Sequence, residues 1–119
     1  MLNLFQHLVE LKNMENCVNI VKEIVLKKVP LHDYTVFLFG SRATGNNHPM
    51  SDIDVGVWGD KPLSIILKLE LEHELEESIV PYKIDLIDFF KVNKEFKHYA
   101  LEKIDVWNLS KNSILNYQT

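Results

Sequence analysis

The most informative part of the chain lies between residues 40 and 54, which read GSRATGNNHPMSDID. The segment begins with Gly40 and Ser41 directly after an apolar run, and it ends with Asp52 and Asp54, two residues apart. Glycine permits a sharp turn and the close approach of a ligand. Backbone N–H groups at the start of a short helix that follows can bind a phosphate. The segment therefore predicts an anion-binding turn that leads into a strand with two carboxylates.

Asp52 and Asp54 are expected on the same face of that strand, because side chains alternate along a strand. Two carboxylates a few ångströms apart repel by about 4 kcal/mol at an effective dielectric constant near 20, so the pair needs a cation. Oxygen ligands favour Mg²⁺ or Mn²⁺. Asp85, on a strand predicted over residues 82–90, is the third expected ligand. Asp88 has the opposite parity and cannot face the same site from a regular strand.

The flanking segments predict alternating helices and strands. Helices are expected over residues 3–11, 14–29, 62–78 and 93 to about 103, and strands over 34–39, 52–58, 82–90 and 106–109. Pro30 is expected to end the second helix, and Pro62 to lie in the first turn of the third. The apolar stripe of that third helix is predicted to consist of Leu63, Ile66, Leu67, Leu71 and Leu75. This order predicts an α/β (α+β) fold, with helices packed on a mixed β-sheet.

Length and composition describe one ordinary globular domain. The chain has 119 residues, of which 46% are hydrophobic, and Lys+Arg 13 against Asp+Glu 17 gives a net charge of −4. We predict a single domain over residues 1–119 with a catalytic core at about 14–109. The acidic balance argues against direct nucleic-acid binding. With one cysteine, no signal peptide and no apolar run long enough for a membrane span, a cytoplasmic protein without a membrane partner is predicted.

The motif resembles the nucleotidyltransferase superfamily of DNA polymerase β, and in particular its minimal nucleotidyltransferase (MNT) branch. The signature of that superfamily is Gly-Ser, ten residues and Asp-x-Asp, which residues 40–54 match without a gap. The resemblance implies a polymerase-β-like fold and an Mg²⁺-dependent enzyme that uses ATP. By resemblance, Asp52 and Asp54 bridge two metal ions, Asp85 binds the ion that activates the acceptor hydroxyl, and Gly40 and Ser41 hold the triphosphate.

Arg42 is the only arginine of the chain. Its planar guanidinium suits a phosphate, which makes Arg42 a candidate nucleotide-binding residue. The alternative is an ion pair that braces the loop, and the sequence does not decide between these two roles.

The resemblance also implies a partner. Larger relatives append a helical domain, whereas only about ten residues follow the last recognisable element here, so we expect another chain to supply the acceptor. Small MNT proteins of this kind pair with HEPN-domain proteins in toxin–antitoxin modules, where the MNT antitoxin transfers AMP from ATP to a tyrosine of the HEPN toxin. Two alternatives stay open. The protein could inhibit its partner by binding alone, or it could modify a small-molecule hydroxyl, with a homodimer supplying the missing walls.

Overall fold

The computed structural model describes residues 3–44 and 51–111, so residues 45–50 of the motif, including His48, and the tail 112–119 lie outside the described part. Four helices and four strands alternate in the described residues: α1 (Leu4–Lys28), β1 (Tyr34–Phe39), α2 (Ser41–Thr44), β2 (Ile53–Gly59), α3 (Ile65–Glu76), β3 (Ile84–Asp88), α4 (Lys94–Ala100) and β4 (Asp105–Asn108). The four predicted strands are present, three of them with shifted or shortened ends.

The strands form one mixed sheet in the order β3-β2-β1-β4. β1 pairs antiparallel with β2 and with β4, whereas β2 pairs parallel with β3. All six residues of β1 are buried, as its uninterrupted apolar run predicts for an inner strand. The mixed sheet with its helices confirms the predicted α+β fold.

The two faces of the sheet carry different side chains. On the first face, aliphatic residues of β1 and β2 such as Val36 and Val55 pack against buried residues of α1 and α3. On the second face, Phe37, Phe39 and Trp58 form an aromatic layer that α4 covers through Ala100. The alternation along β2 places Asp54 on this second face, and the predicted site therefore shares a face with the aromatic layer.

The N-terminal region forms one helix, so the prediction of two helices over residues 3–11 and 14–29 is wrong. Asn3 caps α1 through a reciprocal pair of hydrogen bonds with Gln6. Lys12 and Asn13, which the sequence suggests as a break, are exposed positions within the helix. A polar pair on the solvent side does not interrupt a helix when no proline or glycine lies nearby. The end of the helix before Pro30 agrees with the prediction.

Helix α3 begins later than predicted. Its N-cap is Ser64, whose hydroxyl accepts a hydrogen bond from the Leu67 amide, so Pro62 precedes the helix instead of lying in its first turn. The carbonyl of Pro62 accepts a hydrogen bond from the Tyr34 hydroxyl at 3.0 Å. The predicted apolar stripe is wrong at Ile66, which is 71% exposed. Ile66 lies about 140° around the helix axis from the buried Leu71 and therefore faces solvent.

The last two elements agree with the sequence more closely. The Asn93 side chain caps α4 by accepting a hydrogen bond from the Phe96 amide at 2.8 Å, although the helix ends at Ala100 and not near Lys103. The short strand β4 pairs with β1 at the edge of the sheet. In the described part of the chain, no helix combines the length and apolarity that crossing a membrane requires.

Candidate active site

Five of the six predicted site residues line one open pocket of about 610 Å³ on the second face of the sheet. These five are Gly40, Ser41, Asp52, Asp54 and Asp85. The pocket lies where β1 ends and where β2 and β3 begin, so residues at the ends of three strands lie close together there. A pocket of about 680 Å³ lies along α4, but it contains none of the predicted residues and its charged lining mixes lysine with glutamate. We therefore place the site in the pocket of about 610 Å³.

Asp54 and Asp85 form the centre of the site. They are directly opposite each other in the parallel pairing of β2 with β3, and their side chains share a hydrogen bond. The pKa of Asp54 is raised to about 6, mainly by burial and in addition by the neighbouring charges of Asp85 and Asp52 and by the hydrogen bond with Asp85. Lys83 acts in the opposite direction, with its Nζ atom 3.8 Å from the Asp85 carboxylate. The site thus concentrates negative charge that nearby protein cations offset only in part.

Asp88 takes no part in this pocket. It is 4% exposed, and its carboxylate accepts hydrogen bonds from the Leu63 amide at 2.9 Å and from the Phe90 amide at 3.1 Å. The alternation of β3 sends Asp85 and Asp88 to opposite faces. Asp88 therefore joins the end of β3 to the segment before α3, which is a structural role.

The turn after β1 requires a glycine. Gly40 has a φ of 76°, which lies in the left-handed region that residues other than glycine rarely adopt. A Cβ atom at this position would also collide with the Asp54 carboxylate. Because Gly40 has no side chain, Asp54 can lie against the backbone of the turn, and Ser41 follows as the first residue of α2.

Arg42 braces the backbone that leads to the aspartates. Its Nη2 atom donates to the carbonyl oxygen of Ser51 at 2.6 Å, and its Nε atom lies 3.2 Å from the carbonyl oxygens of Ser51 and Asp52. The guanidinium also lies over the ring of Tyr82, 4.7 Å from its centroid. The sequence left open phosphate binding and an ion pair that braces the loop, whereas in the structure Arg42 contacts carbonyl oxygens and an aromatic ring and does not line the pocket.

Helix α4 contributes two aromatic residues to the pocket that were not predicted from the sequence. Phe96 and Tyr99, both on α4, line the pocket together with the three aspartates. Their spacing of three residues places them on one face of a helix. No local pattern shows that α4 crosses the sheet face that carries the aspartates, because that placement depends on the long-range pairing of β4 with β1.

The three carboxylates match a divalent cation in chemistry. In residues 3–44 and 51–111, no three Asp, Glu, His or Cys side chains already stand in the arrangement of a metal centre. An all-oxygen donor set with excess negative charge fits Mg²⁺ or Mn²⁺.

Comparison with known proteins identifies the class. Residues 18–116 match the family described as nucleotidyltransferase domain, so the chain belongs to the nucleotidyltransferases and is an enzyme of that class. Over 78 residues it is 36% identical to the probable protein adenylyltransferase MntA of Haemophilus influenzae, an alignment that covers 66% of this chain and 67% of that protein.

Solved structures share the fold. A chain of the crystal structure described as a toxin-antitoxin with AMP-PNP superposes with a TM-score of 0.60 and 25% identity, over 78% of this chain and 71% of the other. A chain from the complex of a tri-AMPylated Shewanella oneidensis HEPN toxin with its MNT antitoxin gives a TM-score of 0.58 and 20% identity, over 78% of this chain and 70% of the other. The predicted MNT-type nucleotidyltransferase fold is therefore confirmed.

Proposed function

We propose that the protein is the adenylyltransferase antitoxin of a HEPN/MNT pair, and that it transfers AMP from ATP to a tyrosine hydroxyl of its HEPN partner. The observation that carries the proposal is the convergence of Asp52, Asp54 and Asp85 in one pocket beside the Gly40–Ser41 turn. A polyanionic nucleotide, divalent cations and an acceptor hydroxyl are the reactants that such a site suits.

The aspartates are assigned to the metal. Asp52, Asp54 and Asp85 would hold two divalent ions, Mg²⁺ or Mn²⁺, which when bound lower the pKa of the acceptor hydroxyl and neutralise phosphate charge. Gly40 and Ser41 hold the triphosphate where the backbone turns away from β1. Arg42 keeps the backbone at Asp52 in place and so orients the first carboxylate.

The proposed reaction is a displacement at the α-phosphorus of ATP. The acceptor oxygen forms a bond to the α-phosphorus of ATP, the bond from that phosphorus to the oxygen of the β-phosphate breaks, and pyrophosphate leaves. The phenolic proton passes to water at the open mouth of the pocket. The partner chain supplies the acceptor residue, so the chain described here needs to hold only the nucleotide and the ions.

Two comparisons support this assignment over a generic transferase. The relative from Haemophilus influenzae is named a probable protein adenylyltransferase and shares 36% identity, and a structural neighbour with 25% identity is a toxin-antitoxin bound to AMP-PNP. The name of the first relative and the nucleotide in the second structure are the reasons for choosing AMP as the transferred group and a protein as the acceptor.

The test combines the protein with the HEPN-domain partner of the same genome, ATP and Mg²⁺, followed by intact-mass measurement of the partner. We expect the partner to gain one or more AMP units, and peptide mapping to place them on tyrosine. The Asp54→Asn variant should abolish the gain, whereas Asp60→Asn, an exposed aspartate that does not line the pocket, should retain it.

The other outcomes are equally informative. A partner that is neutralised without a mass gain, and that Asp54→Asn neutralises as well, would show inhibition by binding alone and would reject the enzymatic proposal. AMP recovered on a small molecule and not on the partner would reject the protein acceptor.

A further inference from the structure

We propose that Phe96 and Tyr99 form the nucleobase-binding wall of the site, and that they bind the base of the nucleotide by stacking. The inference rests on the proposed function, since it assumes that a nucleotide occupies the pocket. Its content is separate, because it assigns a role to two residues outside the motif that identifies the family.

The wall lies on the sheet face that carries the aspartates. The ring of Phe96 meets the ring of Phe39 edge-on, with centroids 6.0 Å apart, and lies 5.9 Å from the ring of Phe89. Phe39 is the β1 residue directly opposite Asp54. The aromatic layer therefore extends without a break from the core of the sheet to the carboxylate that centres the site.

This layer fixes the position of Phe96. Phe89 is fully buried and packs against Phe37 at a centroid distance of 4.8 Å. A Cβ atom on Gly56 would collide with both rings, so the glycine of β2 gives the layer its room. Phe96 thus rests on a rigid base, and rigid aromatic surfaces stack ligands at a low entropic cost.

Tyr99 carries the aromatic surface outward. It lies one helical turn after Phe96 and is 73% exposed, whereas Phe96 is 37% exposed. An exposed aromatic residue alone needs no explanation. Phe96 and Tyr99 line the same pocket as three carboxylates, which places aromatic surface beside a site for anions and cations.

A nucleotide matches the three kinds of surface in the pocket. The pocket offers a glycine-serine turn for phosphates, carboxylates for the ions that accompany them, and aromatic rings for a base. Its volume of about 610 Å³ falls within the range of about 300–1,000 Å³ that is usual for small-molecule sites. In the proposed function the acceptor residue comes from a partner chain, so we assign the wall, which belongs to the nucleotide-binding chain, to the base.

Stacking of this kind holds a base without identifying it. Every base has a π-face, so stacking on an aromatic ring tolerates all of them. Phe96 has no hydrogen-bonding group with which to read the edge of a base. We therefore expect AMP-PNP and GMP-PNP to bind with affinities within a few-fold of each other.

The test measures binding of AMP-PNP and of inorganic tripolyphosphate, each with Mg²⁺, by calorimetry. In Tyr99→Ala and Phe96→Leu, we expect AMP-PNP affinity to fall about tenfold and tripolyphosphate affinity to stay unchanged. Tyr99→Phe should retain AMP-PNP affinity, because the ring and not the hydroxyl stacks. Phe5→Ala is the matched control, since Phe5 is 75% exposed and does not line the pocket.

Three results would overturn the inference. Unchanged AMP-PNP affinity in both variants would show that the base does not stack on the wall. Unchanged AMP-PNP affinity with a raised KM for the HEPN partner would assign the wall to the acceptor instead. An equal loss of AMP-PNP and tripolyphosphate would indicate damage to the phosphate end. If the wild-type protein bound neither ligand, the proposed function itself would fail, and that outcome is recognisable without any variant.

Discussion

Asp54 and Asp85 stand directly opposite each other on parallel strands, and their carboxyl groups share a hydrogen bond. A strand pair gains nothing for its own stability from such an arrangement, because like charges at opposed positions destabilise a sheet. The pKa of Asp54 is raised to about 6, first by burial and then by the charges of Asp85 and Asp52, so the ionised pair is costly in this position. The pair is therefore best understood as a site that accepts positive charge, either a proton or a cation.

Replacing Asp54 by asparagine is expected to stabilise the metal-free protein near neutral pH. The folded-state pKa of about 6 lies above the ordinary value of 3.8. The stabilising contribution of the proton on Asp54 is therefore fully present below pH 3.8 and is lost as the pH rises through 6. Asparagine stays neutral throughout. The difference in Tm between Asp54→Asn and the wild type should thus increase in favour of the variant from pH 5 to pH 7.5.

Thermal unfolding in the presence of a chelator checks this expectation. Asp60→Asn, at an exposed position, serves as the control for the loss of one negative charge. A Tm difference that stays constant between pH 5 and pH 7.5 would contradict the raised pKa of Asp54.

Cation binding should show the opposite dependence on pH. A cation at Asp54 and Asp85 displaces the proton, so its affinity depends on the ionised carboxylate. Below a pKa of about 6, each further pH unit should weaken binding by up to about tenfold for one displaced proton. Calorimetry with Mn²⁺ at pH 7.5 and pH 5 measures the change, and buffers of different ionisation enthalpy reveal the released proton. Equal affinity at the two pH values would argue that the cation binds elsewhere.

The sequence predicts the carboxylate set because strand geometry is local. A side-chain period of two is enough to place Asp52 with Asp54, and to show that Asp85 and Asp88 cannot both face the site. The same local signals predict the N-cap at Asn93 and the buried course of β1. These features require no knowledge of what packs against them.

The features that the sequence missed depend on contacts between distant segments. Ile66 belongs to the helical pattern by spacing but faces solvent, since α3 presents Leu71 and Leu75 to the core. The partners of Arg42 include Tyr82, 40 positions away in the chain. Tyr99 reaches the site only because α4 crosses the sheet between β3 and β4. Spacing along the chain carries no information about such crossings.

Replacing Gly40 by alanine should disable the site at a moderate cost in stability. The positive φ of 76° costs a residue with a side chain about 1–3 kcal/mol, and the added Cβ atom collides with the Asp54 carboxylate. Asparagine tolerates the left-handed region better than alanine does. Gly40→Asn should therefore recover part of the stability without recovering AMP transfer. Recovery of AMP transfer in Gly40→Asn would mean that the loss of transfer in Gly40→Ala comes from the positive φ and not from the collision with Asp54.

Asp85 and Asp88 should give opposite results when each is replaced by alanine. Asp88→Ala leaves two amides, those of Leu63 and Phe90, without the carboxylate that accepts from them. We expect a loss of about 2–4 kcal/mol in the free energy of unfolding, with AMP transfer per folded molecule retained. Asp85→Ala should instead raise stability slightly near neutral pH, because it removes the charge that opposes ionisation of Asp54, and it should reduce transfer by about 100-fold or more. Urea unfolding and single-turnover assays separate the two effects, and a stable but inactive Asp88→Ala would contradict this assignment.

The role of Arg42 can be decided by changing the ring beneath it. Lysine at position 42 cannot contact two carbonyl groups and stack on an aromatic ring at once, so Arg42→Lys should lower stability by about 1–2 kcal/mol and weaken AMP-PNP binding. If Arg42 acts by holding the backbone at Ser51 and Asp52, Tyr82→Leu should also weaken AMP-PNP binding, although Tyr82 does not line the pocket. Tyr82→Phe keeps the ring and should behave like the wild type.

If Arg42 instead binds a phosphate directly, Tyr82→Leu should leave the affinity for AMP-PNP unchanged. Arg42→Lys should then lower the affinity for AMP-PNP and for tripolyphosphate alike. Because the guanidinium already contacts two carbonyl oxygens, we expect the first pattern.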